Sequence, residues 1–215
     1  MNPQSSSILE RLFTAYPSLE CCKGQIEQAF SILLRCYQSG GTLFICGNGG
    51  SAADSEHIVG ELMKGFLKKR SLTGQECTEL LSLYPEDGSL LAQNLQGALP
   101  AISLVSHPAL TTAFNNDVDP SMTFAQQVYG LGRQDDVFLG ITTSGNSKNV
   151  LNAAKIAKWK GLSVLGMTGQ GGGQLSSLCN ACICVPETET YRVQELHLPV
   201  YHALCAMLEA EFFAV

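Results

Sequence analysis

Short, wholly apolar runs alternate along this chain with longer stretches in which apolar residues recur every three or four positions. From about Ser18 to Ser39, Ile26, Phe30, Leu33, Leu34 and Tyr37 keep helical spacing, and Gly40-Gly41 stops it. The run TLFIC (42–46) is too short for a helix and apolar throughout, which predicts a strand buried on both faces. Glycines follow, and SAADSEHIVGELMKGF (51–66) then reads as a helix with Ser51 near its start. The alternation resumes with AISLV (101–105), DVFLGIT (136–142), LSVLGMT (162–168) and ACICV (181–185) as strands. Between and after them lie one or two short helices in 107–131, a helix over 147–160 ended by Gly161, a turn at GQGGGQL and a last helix over about 191–213. Strands alternating with helices through short connections predict an α/β fold, a parallel sheet covered by helices on both faces. Ligands of such sheets bind beyond the carboxyl ends of the strands.

One stretch resists this pattern. Residues 67–100 carry helix-like pieces interrupted by Pro85, Gly88 and Gly97, and read as an inserted helical segment beside the main alternation. A long segment of this kind is expected to act as a lid or a specificity element.

Composition narrows the function classes. With 215 residues, 45% of them hydrophobic and 15% charged, the chain is long enough for one domain with a sizeable core and too apolar to be disordered. The low charge fraction also points to surface buried between subunits. A net charge of −6 excludes a nucleic-acid footprint, and the one basic cluster, Lys68-Lys69-Arg70, reads as a solvated loop. The start MNPQSSSILERLF lacks the pattern of a secretory signal, and no apolar run approaches the ~20 residues of a membrane span. Nine cysteines in apolar surroundings, without paired zinc spacing, are expected to be reduced thiols of a cytoplasmic protein.

Two turns stand where this fold class binds ligands. In Gly47-Asn48-Gly49-Gly50-Ser51 the glycines allow close approach to the backbone at a helix start. The dinucleotide pattern G-x-G-x-x-A is matched in part, but a basic loop stands where its acidic residue is needed, and no lysine completes a P-loop. The second turn, TTSGNS, places the hydroxyls of Thr142, Thr143, Ser144 and Ser147 around a glycine between strand and helix. Hydroxyls with helix N-terminal amides, and no arginine, suit a phosphate monoester; the competing reading is a helix cap at Ser147.

Acid–base and ligating residues gather in two helices. His57 and Glu61 sit at i and i+4 on one helix face, with Asp54 a turn earlier. The last helix carries Gln194, Glu195, His197 and His202, so three of the four histidines lie on two helices that can meet at the sheet edge. Such clustering suggests a metal, against a solvated polar pair and a core histidine as the plain alternatives. Gln194 and His202 are eight residues apart, ~12 Å along a helix, and spacing alone pairs Gln194 with His197.

The motifs GNGGSAADSEH, TTSGNSKNVL and ETYRVQELHLPVYH, in this order, resemble the SIS (sugar isomerase) domain of the phosphoheptose isomerases, and the likeness covers most of residues 20–215. The resemblance implies a three-layer sandwich with a five-stranded parallel sheet, spanning 1–215 as one domain with N-terminal helices in 1–40, and assembled as a homotetramer with active sites at subunit contacts. It implies zinc held by His57, Glu61, Gln194 and His202, with Glu61 as base and His202 as acid of an aldose–ketose isomerisation through an enediol. The implied substrate is sedoheptulose 7-phosphate, converted to a heptose 7-phosphate. Asn48, Gly49, Gly50, Ser51, Asn116 and Asp117 would line the sugar together with Glu61 and Gln194, and Thr142, Thr143, Ser144 and Ser147 would hold the phosphate. Thr142 stands where the family usually has serine, which keeps the hydroxyl. Asn116-Asp117 has a plainer reading as an Asx turn. Non-catalytic SIS proteins that sense sugar phosphates or bind a replication initiator are the alternative, and they lack metal or acid–base positions that this chain keeps.

Overall fold

Strands β1 (Leu43–Cys46), β2 (Ala101–Ser103), β3 (Val137–Ile141), β4 (Ser163–Thr168) and β5 (Ala181–Cys184) form one parallel sheet in the order β2-β1-β3-β4-β5. The computed structural model describes residues 1–213, so Ala214 and Val215 of the expected 1–215 domain lie outside the described residues. β1 pairs with β3 from Leu43↔Val137 to Cys46↔Gly140 and with β2 from Leu43↔Ala101 to Ile45↔Ser103. The chain runs outward from β1 in one direction and from β3 in the other, so the topological switch point of the sheet lies between these two strands.

Alternate residues of the apolar runs feed two separate cores. Leu43 and Ile45, with Val137, Leu139, Ile141, Leu165 and Met167, pack under α1 (Pro3–Ala15), α2 (Lys23–Gln38), α3 (Gly50–Met63) and α10 (Thr190–Phe212). Phe44 and Cys46, with Phe138 and Val164, pack on the opposite face under α7 (Thr123–Leu131) and α8 (Lys148–Trp159). The period-two alternation of a strand divides each run between the layers, which is why both faces of β1 and β3 had to be apolar. Burying each large side chain contributes about 1.5–3 kcal/mol, so both faces stabilise the fold.

The segment 67–100 departs from the layers. It forms α4 (Gly74–Leu83) and α5 (Gly88–Asn94), which pack on each other, with an antiparallel bridge between Ser71 and Gln96 at the base. Gly88 is the one buried residue of the two helices. α4 starts with a capping box in which Thr73 and Glu76 bond each other's backbone amides. The remaining helices are α6 (Pro108–Asp117) and the single-turn α9 (Gly173–Ser176), the latter standing where a plain turn was expected.

The basic cluster is not a solvated loop throughout. Lys68 is half-buried and Lys69 exposed, but Arg70 is 1% exposed and pairs with Glu209 of α10. A charge run reads as solvent-facing until a distant carboxylate supplies the partner that makes burial tolerable. All nine cysteines are free. Among the described residues no helix is long and apolar enough to cross a membrane.

Candidate active site

The glycine turn leaves the carboxyl end of β1 and enters α3. Gly49 is the N-cap with φ 57° and ψ −123°, a backbone conformation only glycine adopts without strain. A Cβ on Gly47 would lie 2.5 Å from the carbonyl oxygen of Ser51, and one on Gly50 would lie 2.6 Å from the Gln194 amide nitrogen. The close approach that required glycine at position 50 is thus made by Gln194 of α10. No side chain caps α3, so its first amides are left without a protein side-chain acceptor.

The hydroxyl turn leaves β3 beside it. Ser147 is the N-cap of α8 but makes no capping bond; its hydroxyl lies 2.8 Å from that of Thr142 instead. Two helix starts with positive dipole ends, neither capped by a side chain, therefore flank one cavity of about 380 Å³ at the switch point. Asn48, Gly49, Gly50, Ser51, Thr142, Thr143, Ser147 and Gln194 line it together with Ile141 and Thr190, which the sequence reading did not single out. Ser144 is not among the lining residues: its hydroxyl accepts the Asn146 amide at 3.2 Å and so stays within its own turn. Asn48 and Asn149 exchange two side-chain amide bonds of 3.0 and 2.9 Å, tying the glycine turn to α8. Asn149 carried no signal of its own in the sequence, since its partner is a hundred residues away.

The titratable cluster forms where α3 meets α10. His57 Nε2 lies 3.1 Å from Glu61 Oε1 and 3.4 Å from His202 Nε2. The other ring nitrogen, Nδ1, is 3.0 Å from the Tyr201 hydroxyl, which itself donates to Asp54 Oδ1 at 3.3 Å. Since that hydroxyl spends its proton on Asp54, His57 Nδ1–H donates to it, and in the neutral ring Nε2 is the nitrogen that carries the lone pair. Burial, then His57, lowers the His202 pKa against a smaller upward pull from Glu61. Burial raises Asp54, opposed by the Tyr201 hydrogen bond and by His57; burial and Asp54 push Tyr201 up. The second oxygen of Glu61 is buried without a hydrogen bond, with Lys64 Nζ 3.6 Å away. Tyr201 is the functional neighbour that the sequence reading missed, being indistinguishable there from a core aromatic.

Glu61 Oε1 and His202 Nε2 both meet His57 Nε2, and two imidazoles with a carboxylate suit zinc in kind. Among the described residues no three His, Cys, Asp or Glu side chains are spaced as a ready metal cage; the donors meet pairwise. Gln194 stands apart from them against Gly50. His197 is excluded from the cluster. It is 0% exposed, bonds the Thr168 carbonyl at 3.3 Å and is pushed down to about 4 by burial, which makes it a neutral core histidine. The spacing argument that paired it with Gln194 fails because the His197 ring is buried against the Thr168 carbonyl, while Gln194 lines the cavity beside Gly50. Asn116 and Asp117 end α6, exposed and bonded to each other at 2.8 Å, and α6 contributes nothing to the cavity lining.

A parallel sheet with an anion-binding cavity at its switch point and an acid–base cluster on adjoining helices defines a class, and the sequence comparisons name it. The SIS domain pattern matches twice, over residues 17–79 and 101–210, leaving out much of the α4–α5 hairpin. A phosphoheptose isomerase of Campylobacter jejuni is 37% identical over 193 residues, 90% of this chain and 90% of its own. Among solved structures, phosphoheptose isomerase GmhA from Neisseria gonorrhoeae superposes with a TM-score of 0.66 at 30% identity, over 91% of this chain and 96% of that one. A phosphoheptose isomerase from Francisella tularensis gives 0.70 at 29% identity, over 93% and 97%. The chain belongs to the phosphoheptose isomerase family of SIS domain proteins.

Proposed function

We propose that this chain is an aldose–ketose isomerase of sugar phosphates, with sedoheptulose 7-phosphate as its substrate. Membership of an isomerase family supports the reaction class, and one observation carries the reading: the cavity between the uncapped starts of α3 and α8 is also lined by α10, and the acid–base cluster lies further along α3 and α10. Seven residues, about 10 Å of helix, separate Gly50 at the cavity from His57 in the cluster. That is the scale of an extended sugar phosphate chain, with the phosphate at one end and C1 and C2 at the other.

In this reading Thr142, Thr143, Ser147 and the first amides of α3 and α8 hold the phosphate. Glu61 takes a proton from one of C1 and C2 and returns it to the other, while His202 moves the hydroxyl proton between the two oxygens, so atoms balance without an outside reductant. The Asp54–Tyr201 pair orients His57. His57, Glu61 and His202 would hold zinc, with Gln194 joining them only by leaving its place against Gly50, and the metal when bound polarises the substrate oxygens and stabilises their developing charge. Leu67, Leu198 and Tyr16, exposed around an apolar groove that ends at His202, support assembly into a homotetramer, which light scattering checks.

The deciding experiment incubates the protein with sedoheptulose 7-phosphate in deuterated water and follows C1/C2 exchange and aldose formation by NMR, with hexulose 6- and pentulose 5-phosphates alongside. Exchange and product with the heptulose are expected. Tight binding of a sugar phosphate with no exchange on any of them would replace this reading with that of a regulatory binding module.

A further inference from the structure

We propose that Arg70, buried and paired with Glu209, is a positioning residue that holds Glu61 and His57 in register with His202. The inference rests on the isomerase reading above, and goes beyond it by assigning a task to a residue outside the cavity and the acid–base cluster.

Arg70 ties three segments at once. Its Nε donates to Glu209 Oε1 at 2.8 Å, Nη1 to the Leu62 carbonyl at 2.6 Å and Nη2 to the Glu61 carbonyl at 3.0 Å. The last two are carbonyls of the final turn of α3, which lack intrahelical partners. Glu209 completes the clasp, accepting the Phe66 amide on Oε1 and the Leu67 amide on Oε2, both at 2.8 Å. Phe66 then lays its ring 5.5 Å from that of His202, and the Phe213 ring covers the guanidinium at 4.6 Å. The helix bearing His57 and Glu61, the strap 64–70 and the helix bearing His202 are joined through one planar group.

A need for stability alone does not explain this choice. A buried ion pair roughly offsets its own desolvation, and apolar side chains of similar volume would serve as well. What apolar side chains lack is direction. A fork of five donors fixes the angle at which α3 meets α10, and lysine, a point charge on a flexible stem, does not. The distance that matters, 3.4 Å from His57 of α3 to His202 of α10, bridges those two helices, and the 3.1 Å contact of His57 with Glu61 within α3 brings the carboxylate along with it.

The test uses Arg70→Lys, which keeps the charge, and Arg70→Gln with Glu209→Gln, which keeps hydrogen-bonding atoms without charge should the first not fold. For each, thermal unfolding, kcat and KM on sedoheptulose 7-phosphate, and the affinity and absorption spectrum of cobalt(II) added to metal-free protein are measured. Positioning predicts a folded variant whose kcat falls about 10–100-fold with KM within about twofold, and whose cobalt affinity falls by a similar factor with a changed spectrum. A folded variant with wild-type kcat and wild-type cobalt spectrum overturns it, even if its unfolding temperature drops, because that is the signature of a structural pair only. Wild-type protein inactive on every sugar phosphate would overturn the isomerase reading instead, and the cobalt comparison would then decide the role of Arg70 by itself. A wild type that neither turns over nor binds cobalt overturns both.

Discussion

The hydroxyl of Ser147, the residue placed to cap α8, lies 2.8 Å from the hydroxyl of Thr142 and makes no bond to its own helix. The serine is thereby withdrawn from capping and held at the cavity wall, on the far side of which Gly49 likewise leaves α3 uncapped. A cap of this type is worth about 1 kcal/mol, so leaving two helix starts open has a cost that an anion offsets.

Thr142→Val with Ser147→Ala therefore raises KM for the phosphorylated sugar by about 10²–10⁴-fold, each of the two charge-assisted bonds contributing about 1.5–3 kcal/mol. The unfolding temperature changes little, since no helix cap is lost. A large drop in stability with KM unchanged would restore the capping role. Ser144→Ala, whose hydroxyl is spent on the Asn146 amide, is expected to have the smaller effect on KM.

Glu61→Gln keeps the size of the side chain but cannot accept a proton near neutral pH. Turnover falls by about 10²–10⁴-fold while the sugar phosphate still binds, as calorimetry with a non-reacting analogue would show. His202→Asn removes most activity as well. His197→Asn acts through the fold, lowering stability by about 1–3 kcal/mol through the lost bond to Thr168 while kcat stays near wild type. Equal kcat losses at His197 and His202 would contradict this division of the helix.

Acid is expected to loosen the clasp. Burial alone would raise the Glu209 pKa, but the amides of Phe66 and Leu67 and the Arg70 guanidinium outweigh it and hold it below the ordinary value of 4.5. A carboxylate lowered in the folded state binds fewer protons there than in the unfolded chain, so its contribution is full above that ordinary value and is lost as pH falls through the folded pKa. Unfolding temperature measured from pH 7 downward is expected to fall more steeply for the wild type than for Glu209→Gln. At neutral pH that variant is weaker by about 3–5 kcal/mol, the cost of a buried cation left without its partner. Parallel curves would show that Glu209 has no part in acid sensitivity.

The α4–α5 hairpin touches the rest of the molecule mainly at its base. Replacing residues 73–94 with a short Gly-Ser linker is expected to leave the unfolding temperature within a few degrees of wild type, because Gly88 is the only buried residue of the two helices and loop length costs little entropy. Loss of the folded state on this deletion would show that the hairpin supports the sheet. A selective change in substrate preference would assign it to specificity.

The layers of this protein, the two turns that line the cavity and the helices that carry His57, Glu61 and His202 were legible in the residues themselves. Buried parallel strands need apolar side chains on both faces, helices announce their single apolar stripe, and Gly49 marks a backbone conformation closed to other residues. All of these are local requirements, and the chain meets them within a few positions. The fate of individual polar side chains was not legible in this way. His197 and His202 stand on one helix with nothing in the sequence to separate them, yet one meets the Thr168 carbonyl in the core and the other meets His57. Ser144 and Ser147 share one turn, and only the second turns toward the cavity. Arg70 read as solvated because its neighbours are lysines, and became one of the most buried side chains because folding delivers Glu209 from 139 residues away. Local sequence sets what a segment can be, while the partner of a charge or a lone pair is set by which distant segment packs against it. For charged and hydrogen-bonding groups that partner decides the free energy, so tertiary structure alone settled where they went.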